Sequence, residues 1–156
     1  MNGIIGIDEV GRGCLAGPLV VAAVCLNEAI MGLKDSKLLT RAQREKLAVE
    51  IEGKAQTSLG WVTNAEIDEL GLTKAVSLAM KRAIQKMDYK NTDIIIDGNF
   101  NYLPEIANVQ TLIKADQTIP AVSAASILAK VARDNFMPAL PAKYAAYEFA
   151  SHVGYG

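Results

Sequence analysis

The chain has 156 residues, 51% hydrophobic and 21% charged, which suits one compact globular domain and excludes long disorder. Lys and Arg total 16 against 17 Asp and Glu, for a net charge of -1; a general basic coat for nucleic acid is thereby excluded, and a polyanionic ligand would need a local basic patch or bridging metal ions. No apolar run approaches the roughly 18 residues of a membrane span, and the first residues carry no basic leader, so a soluble, cytoplasmic protein is expected.

Residues 3–8 and Leu19–Leu26 are short β-branched apolar runs separated by Gly11-Arg12-Gly13 and Ala16-Gly17-Pro18, the pattern of two neighbouring strands. Asp8 and Glu9 fall at the exit of the first. Cys14 and Cys25 lack the paired spacing of a zinc site and read as reduced core thiols. Thr40 is placed to cap a charged amphipathic helix running to about Lys54, since its hydroxyl can accept from the open N–H groups of the first turn. Residues 58–62 make a third strand. From Asn64 onward Ile67, Leu70, Leu72, Ala75, Leu78, Ala79 and Ala83 build one apolar helical face, which Gly71 divides into two helices. Residues 92–97 carry three consecutive isoleucines and end on Asp97-Gly98, a buried strand with a carboxylate at its exit. Residues 109–113 make a further strand leaving through Lys114-Ala115-Asp116, and residues 121–137 form a helix stopped by Pro138. Trp61 and the methionines read as core. Strands mixed with helices, without repeat or linker, mean one α/β or α+β layered domain.

Three strand-like segments thus end in acid: Asp8-Glu9, Asp97 and Asp116. Strand exits of a mixed sheet tend to meet at one edge, so carboxylates far apart in sequence can converge there. Bare, such a cluster repels itself and raises its own pKa values. A divalent cation removes the repulsion, and oxygen donors without His or Cys suit Mg2+ or Mn2+, ions that serve phosphoryl chemistry. Taken singly, each acid could instead open a turn, as Asp-Gly often does; the repetition points to a site.

Gly11-Arg12-Gly13 follows the first acidic pair, and its glycines let the backbone approach a ligand closely, although a tight turn accounts for it as well. The spacing to Gly17 departs from the dinucleotide fingerprint. On the last helix Ser123, Ser126, Lys130 and Arg133 share one face, opposite Val122, Ala125, Leu128, Ala129, Ala132 and Phe136. Hydroxyls and cations on one stripe suit a phosphate backbone, and an ordinary solvated face has the same pattern. Asp134 beside it suits either a further metal ligand or an i,i+4 partner of Lys130. Lys34, Lys37, Arg41 and Arg44 form a local basic group that could hold a second strand. His152, the one histidine, has no nucleophile motif around it, which leaves a hydrolase triad unsupported. Tyr155, between Gly154 and Gly156, could stack on a sugar or base.

Together these residues resemble the ribonuclease HII family. The similar text is Gly6-Ile7-Asp8-Glu9-Val10-Gly11-Arg12-Gly13, Leu15-Ala16-Gly17-Pro18, Asp35-Ser36-Lys37, Ile67-Asp68-Glu69 and Ile96-Asp97-Gly98-Asn99. It continues through Lys114-Ala115-Asp116, the run from Ser123 to Val131, Arg133-Asp134 and Gly154-Tyr155-Gly156. Order and spacing hold over nearly the whole chain.

The resemblance implies an α/β fold, a ribonuclease H-like mixed β-sheet flanked by α-helices, as a single catalytic domain over residues 1–156. It implies an endonuclease that hydrolyses the RNA strand of RNA·DNA hybrids, including single ribonucleotides embedded in duplex DNA. Two-metal-ion catalysis with Mn2+ or Mg2+ would leave 3'-hydroxyl and 5'-phosphate ends. Asp8, Glu9, Asp97 and Asp116 are then the metal-binding carboxylates, with Asp8 bridging both ions. Gly11, Arg12 and Gly13 would recognise the 2'-hydroxyl, and Tyr155 would stack beside that sugar. Lys37, Ser123, Ser126 and Lys130 would contact strand phosphates or support the site. The implied partners are RNA·DNA hybrid and ribonucleotide-containing duplex DNA, with no membrane, for a monomeric protein. Departures from the family pattern are Cys14 in place of Pro, Leu38 in place of a second Lys, and the end at Gly156, without the family's C-terminal helical extension. That last departure supports an alternative, a non-catalytic hybrid-binding module. The intact acidic set argues against it, because four clustered carboxylates repel phosphate unless metal is present.

Overall fold

The apolar runs of the sequence become the interior strands of one sheet. In the computed structural model, which describes residues 3–12 and 17–137, the strands are β1 (Ile4–Val10), β2 (Leu19–Leu26), β3 (Ala55–Val62), β4 (Asp93–Asp97) and β5 (Val109–Leu112). Their spatial order is β3-β2-β1-β4-β5. β2 runs antiparallel to β1, pairing Ala22 with Asp8, and β3 antiparallel to β2. β4 runs parallel to β1, with Ile7 opposite Ile96, and β5 parallel to β4, with Asp97 opposite Leu112. The C-terminal ends of β1, β4 and β5 therefore reach the same edge of the sheet.

Helices cover both faces, which is why β2 is buried continuously from Leu19 to Val24 instead of alternating. On one face α3 (Leu72–Ile84) packs Ala75, Val76, Ala79, Met80, Ala83 and Ile84 against Ile5, Ile7, Leu19, Val21, Ile94 and Ile96. On the other, α1 (Arg41–Lys54) and α4 (Pro120–Phe136) lay Leu47, Ile51, Ala124, Ile127 and Leu128 on Val20, Ala22 and Val24. Helix α4 lies so close to β1 that a Cβ on Gly6 would stand 2.3 Å from the backbone of Ala121 and Val122; only glycine permits that approach.

Local chemistry sets the ends. Thr40 caps α1 in a reciprocal box with Gln43, and Thr63 caps α2 (Asn64–Leu70) in the same way with Glu66. Gly71 separates α2 from α3, donating its N–H to the Ile67 carbonyl. β3 begins at Ala55, earlier than the sequence pattern suggests, because α1 passes into it without a loop. Pro120 opens α4 at a position where its missing N–H costs nothing.

Some expected core positions are corrected. Leu70 and Leu72 are 37% and 42% exposed around the Gly71 break, and Met31 is 88% exposed. Trp61 is half-buried and packs against Phe136 in a tilted pair, ring centroids 5.3 Å apart, at the rim of the α4 layer. Cys25 is a free, half-buried thiol whose pKa burial pushes up; Cys14 and Pro138 lie outside the described residues. Among the described residues no helix is long and apolar enough to cross a membrane.

Candidate active site at the C-terminal edge of the sheet

Alternation along β1 sends its two acids to opposite faces. Asp8 shares the α4 face with Gly6, whereas Glu9 shares the α3 face with Ile5 and Ile7. Asp97 ends the neighbouring parallel strand on the Asp8 side, two residues after Ile95, the partner of Gly6. Asp116 comes from a short 3-10 turn, Ala115–Gln117, between β5 and α4. Lys114 enters that turn in a left-handed conformation, φ 57°. The Ala115 N–H then donates to Asp97 Oδ1 at 2.7 Å, so the residue that terminates β4 also anchors the turn that presents Asp116.

Asp8, Asp97 and Asp116 each offer a carboxylate oxygen within 4.8 Å of the others. Glu9 stands outside that triple but lines the same pocket, a cavity of about 460 Å3 shared with Gly11, Arg12, Lys37, Arg44, Ser126 and Lys130. One Glu9 oxygen faces Arg12 at 3.4 Å, and the other is buried without a hydrogen-bond partner among the described residues. Burial holds the Asp8 carboxyl well above its ordinary range, and the charges of Glu9, Asp97 and Asp116 push it further. Burial also raises Glu9 against the opposing pull of Arg12, and raises Asp116 with help from Asp97. Three convergent hard oxygen donors and an unsatisfied fourth carboxylate, without His or Cys, fit a divalent cation with oxygen ligands.

The cationic wall is held from α4. Ser126 Oγ meets Ser36 Oγ at 3.0 Å and Ser123 Oγ donates to the Lys34 carbonyl at 2.8 Å, which ties the Lys37 loop to the helix. Ser123 does not line the pocket; its described contact is with that loop. Asp134 accepts from Lys130 at 2.9 Å and stands 3.7 Å from Arg44, so the i,i+4 partnership explains it. Arg44 in turn donates to the carbonyls of Ser36 and Leu39. Arg41 pairs instead with Glu45 on the outside of α1.

Whereas Ser126 and Lys130 line the pocket, Arg133 itself departs from both readings of the α4 stripe. It is 0% exposed, neither solvated nor facing the pocket, and its Nε donates to the Pro18 carbonyl at 3.0 Å. Tyr102 was not singled out from sequence, since it sits in an irregular stretch after β4. Its hydroxyl accepts from Arg12, whose guanidinium lies 5.3 Å from the ring centre, and Phe100 packs against the same ring. Gly13, His152 and Tyr155 lie outside the described residues.

A helix-covered mixed sheet whose parallel strands deliver carboxylates to one edge defines the class: a ribonuclease H-like hydrolase fold with an all-carboxylate centre. The crystal structure of the ribonuclease H2 from Pyrococcus horikoshii OT3 superposes with a TM-score of 0.81 at 34% identity, over 98% of this chain and 80% of that one. Bst-RNase HIII in complex with Mn2+ gives 0.76 at 27% identity, over 88% and 53%. The ribonuclease HII family model matches residues 5–156. Ribonuclease HII of Campylobacter concisus (strain 13826) is 48% identical over 156 residues, 100% of this chain and 82% of the relative. The chain belongs to the ribonuclease HII family, endoribonucleases of RNA·DNA hybrids.

Proposed function

We propose that this chain cuts RNA·DNA hybrids, and duplex DNA containing a single ribonucleotide, at the pocket beneath Gly11 and Arg12, and that residues 1–156 act as one catalytic domain. The convergence of Asp8, Asp97 and Asp116 from three elements carries the reading. Asp8, Glu9, Asp97 and Asp116 would hold two divalent cations, Mn2+ or Mg2+, which when bound stabilise charge on the attacking and leaving oxygens. Hydrolysis adds water across the P–O3' bond and leaves a 3'-hydroxyl and a 5'-phosphate.

The chain's own residues divide the remaining work. Lys37 and Lys130, which line the same pocket as the acids, attract the phosphates of the strand, with Ser126 tying the Lys37 loop to α4. Gly11 and Arg12 line the pocket and, with Gly13 of the same motif, would contact the ribose, where the 2'-hydroxyl is the group that separates RNA from DNA. Tyr155 is proposed to stack beside the same sugar, which matches its place in the family motif. The acids repel phosphate in the absence of cation, so binding and chemistry are coupled to the same ion.

The test is cleavage of two labelled duplexes in Mg2+ and then Mn2+, one DNA with a single ribonucleotide and one continuous hybrid, each with an EDTA control. Metal-dependent cutting on the 5' side of the lone ribonucleotide is expected. Retained binding by a folded chain without cutting would contradict the catalytic reading and favour a hybrid-binding module.

A further inference from the structure

Arg133 is among the largest fully buried side chains of the described residues, at 0% exposure near the end of α4. Burying a guanidinium carries a desolvation cost that a similarly sized apolar side chain avoids. A methionine would fill this volume, so the donors of the arginine need a reason. They stand between the two described ends of the segment joining β1 to β2. Nε donates to the Pro18 carbonyl at 3.0 Å, and the same nitrogen is 2.9 Å from where a Cβ on Gly11 would lie. Nη2 is 2.6 Å from where a Cβ on Gly17 would lie. Both glycines have left-handed backbones, φ 99° and 96°, so conformation and contact each exclude a side chain. The planar guanidinium thus hydrogen-bonds the Pro18 carbonyl through Nε while its flat body packs against Gly11 and Gly17, a fixed shape that a flexible ammonium does not reproduce.

We infer that Arg133 is a positioning residue for ribonucleotide recognition, setting from below the height of the Gly11-Arg12 backbone at the mouth of the carboxylate pocket. It touches no reacting atom. The inference rests on the proposed role of Gly11 and Arg12 in reading the ribose, and makes α4 the common support of both walls: Ser126 fixes the Lys37 loop and Arg133 the glycine segment.

The experiment uses the full chain with Arg133→Met, which keeps volume, Arg133→Lys, which keeps charge, Arg12→Ala, and each Arg133 variant combined with Arg12→Ala. Affinity is measured in Ca2+ for a duplex with one ribonucleotide and for the same duplex in all-DNA form, alongside melting temperature and Mn2+ titration. Wild type is expected to prefer the ribonucleotide duplex. Arg133→Met is expected to lose about tenfold of that preference at near-wild-type Mn2+ affinity, with Arg133→Lys between the two. Adding Arg12→Ala to Arg133→Met should cost little more, because both act through one segment. A preference that survives Arg133→Met, a loss that tracks Mn2+ affinity, or additive losses in the double variant would overturn the inference. If Arg133→Met does not fold, the Arg133→Lys and Arg12→Ala cycle decides by the same criterion. Wild type without preference or cleavage would defeat the proposed function and this inference together. Wild type that cleaves, with a preference indifferent to Arg133, would defeat the inference alone.

Discussion

The two faces of the sheet are built on the same strands and bury different things. Every residue that α3 buries is apolar: Ala75, Val76, Ala79, Met80, Ala83 and Ile84. Helix α4 buries Ser123, Ser126, Arg133 and Asp134 beside its alanines and aliphatics. Buried polar groups are tolerated when paired, and each of these has its partner in a segment bordering the acidic pocket or in its cationic wall. The α3 contact is mainly apolar and holds the sheet together, with Glu9 projecting on that side only at the pocket edge. The α4 face gives up apolar area to fix where loops stand, and the carboxylate triple opens on that side.

Breaking the α4 side at its centre gives the largest effect. Asp8→Asn keeps size and removes a ligand charge, so cleavage of the hybrid should fall by about a thousandfold or more, measured in single-turnover assays. The same substitution should stabilise the metal-free fold. Asp8, Glu9 and Asp116 all have folded pKa values raised by burial. Between the ordinary carboxyl range, about pH 4, and those raised values, the native chain binds more protons than the unfolded chain, so stability in EDTA falls as pH rises through that window. Asp8→Asn should flatten that slope in melts recorded across pH, and an unchanged slope would contradict the burial of the charge.

On the α3 side, Met80→Ala should cost about 2–5 kcal/mol of stability by urea unfolding while leaving kcat of the folded enzyme near wild type. A loss of activity matching the loss of folded protein, and no more, is the outcome that separates the faces. Ser126→Ala is expected to cost about 1–3 kcal/mol by stranding the Ser36 hydroxyl and to raise KM with little change in kcat, since the Lys37 loop loses its tie. Thr40→Ala, which removes a cap hydroxyl bonded only within the first turn of α1, should cost about 1 kcal/mol with a smaller kinetic effect than Ser126→Ala.

The sequence made the acidic centre legible because the signal was repeated: three apolar runs, each with a carboxylate at its exit, converge in any sheet where those runs are parallel neighbours. It also showed the capping threonine Thr40 and the break at Gly71, both of which act locally, whereas the equivalent cap by Thr63 emerged only from the structure. Arg133 was unreadable because a helical wheel turns charged residues outward, whereas the end of α4 lies against the β1–β2 connection. Leu70 and Leu72 failed for a related reason, since Gly71 interrupts the wheel that would have put them inside. Tyr102 carries no periodic signal, and only the tertiary structure brings its ring to Arg12.

The edge on the α4 face gathers carboxylate oxygens from Asp8, Asp97 and Asp116 in an arrangement suited to a divalent cation. The most direct measurement is the melting temperature of the full chain at neutral pH, in EDTA and then in excess Mn2+, for wild type and Asp8→Asn. Mn2+ is expected to raise the wild-type melt by several degrees, as ligand linkage to the native state requires. Asp8→Asn should melt higher than wild type in EDTA and gain much less from the metal. Equal Mn2+ stabilisation of the two proteins, or none in wild type, would contradict a cation site at these carboxylates.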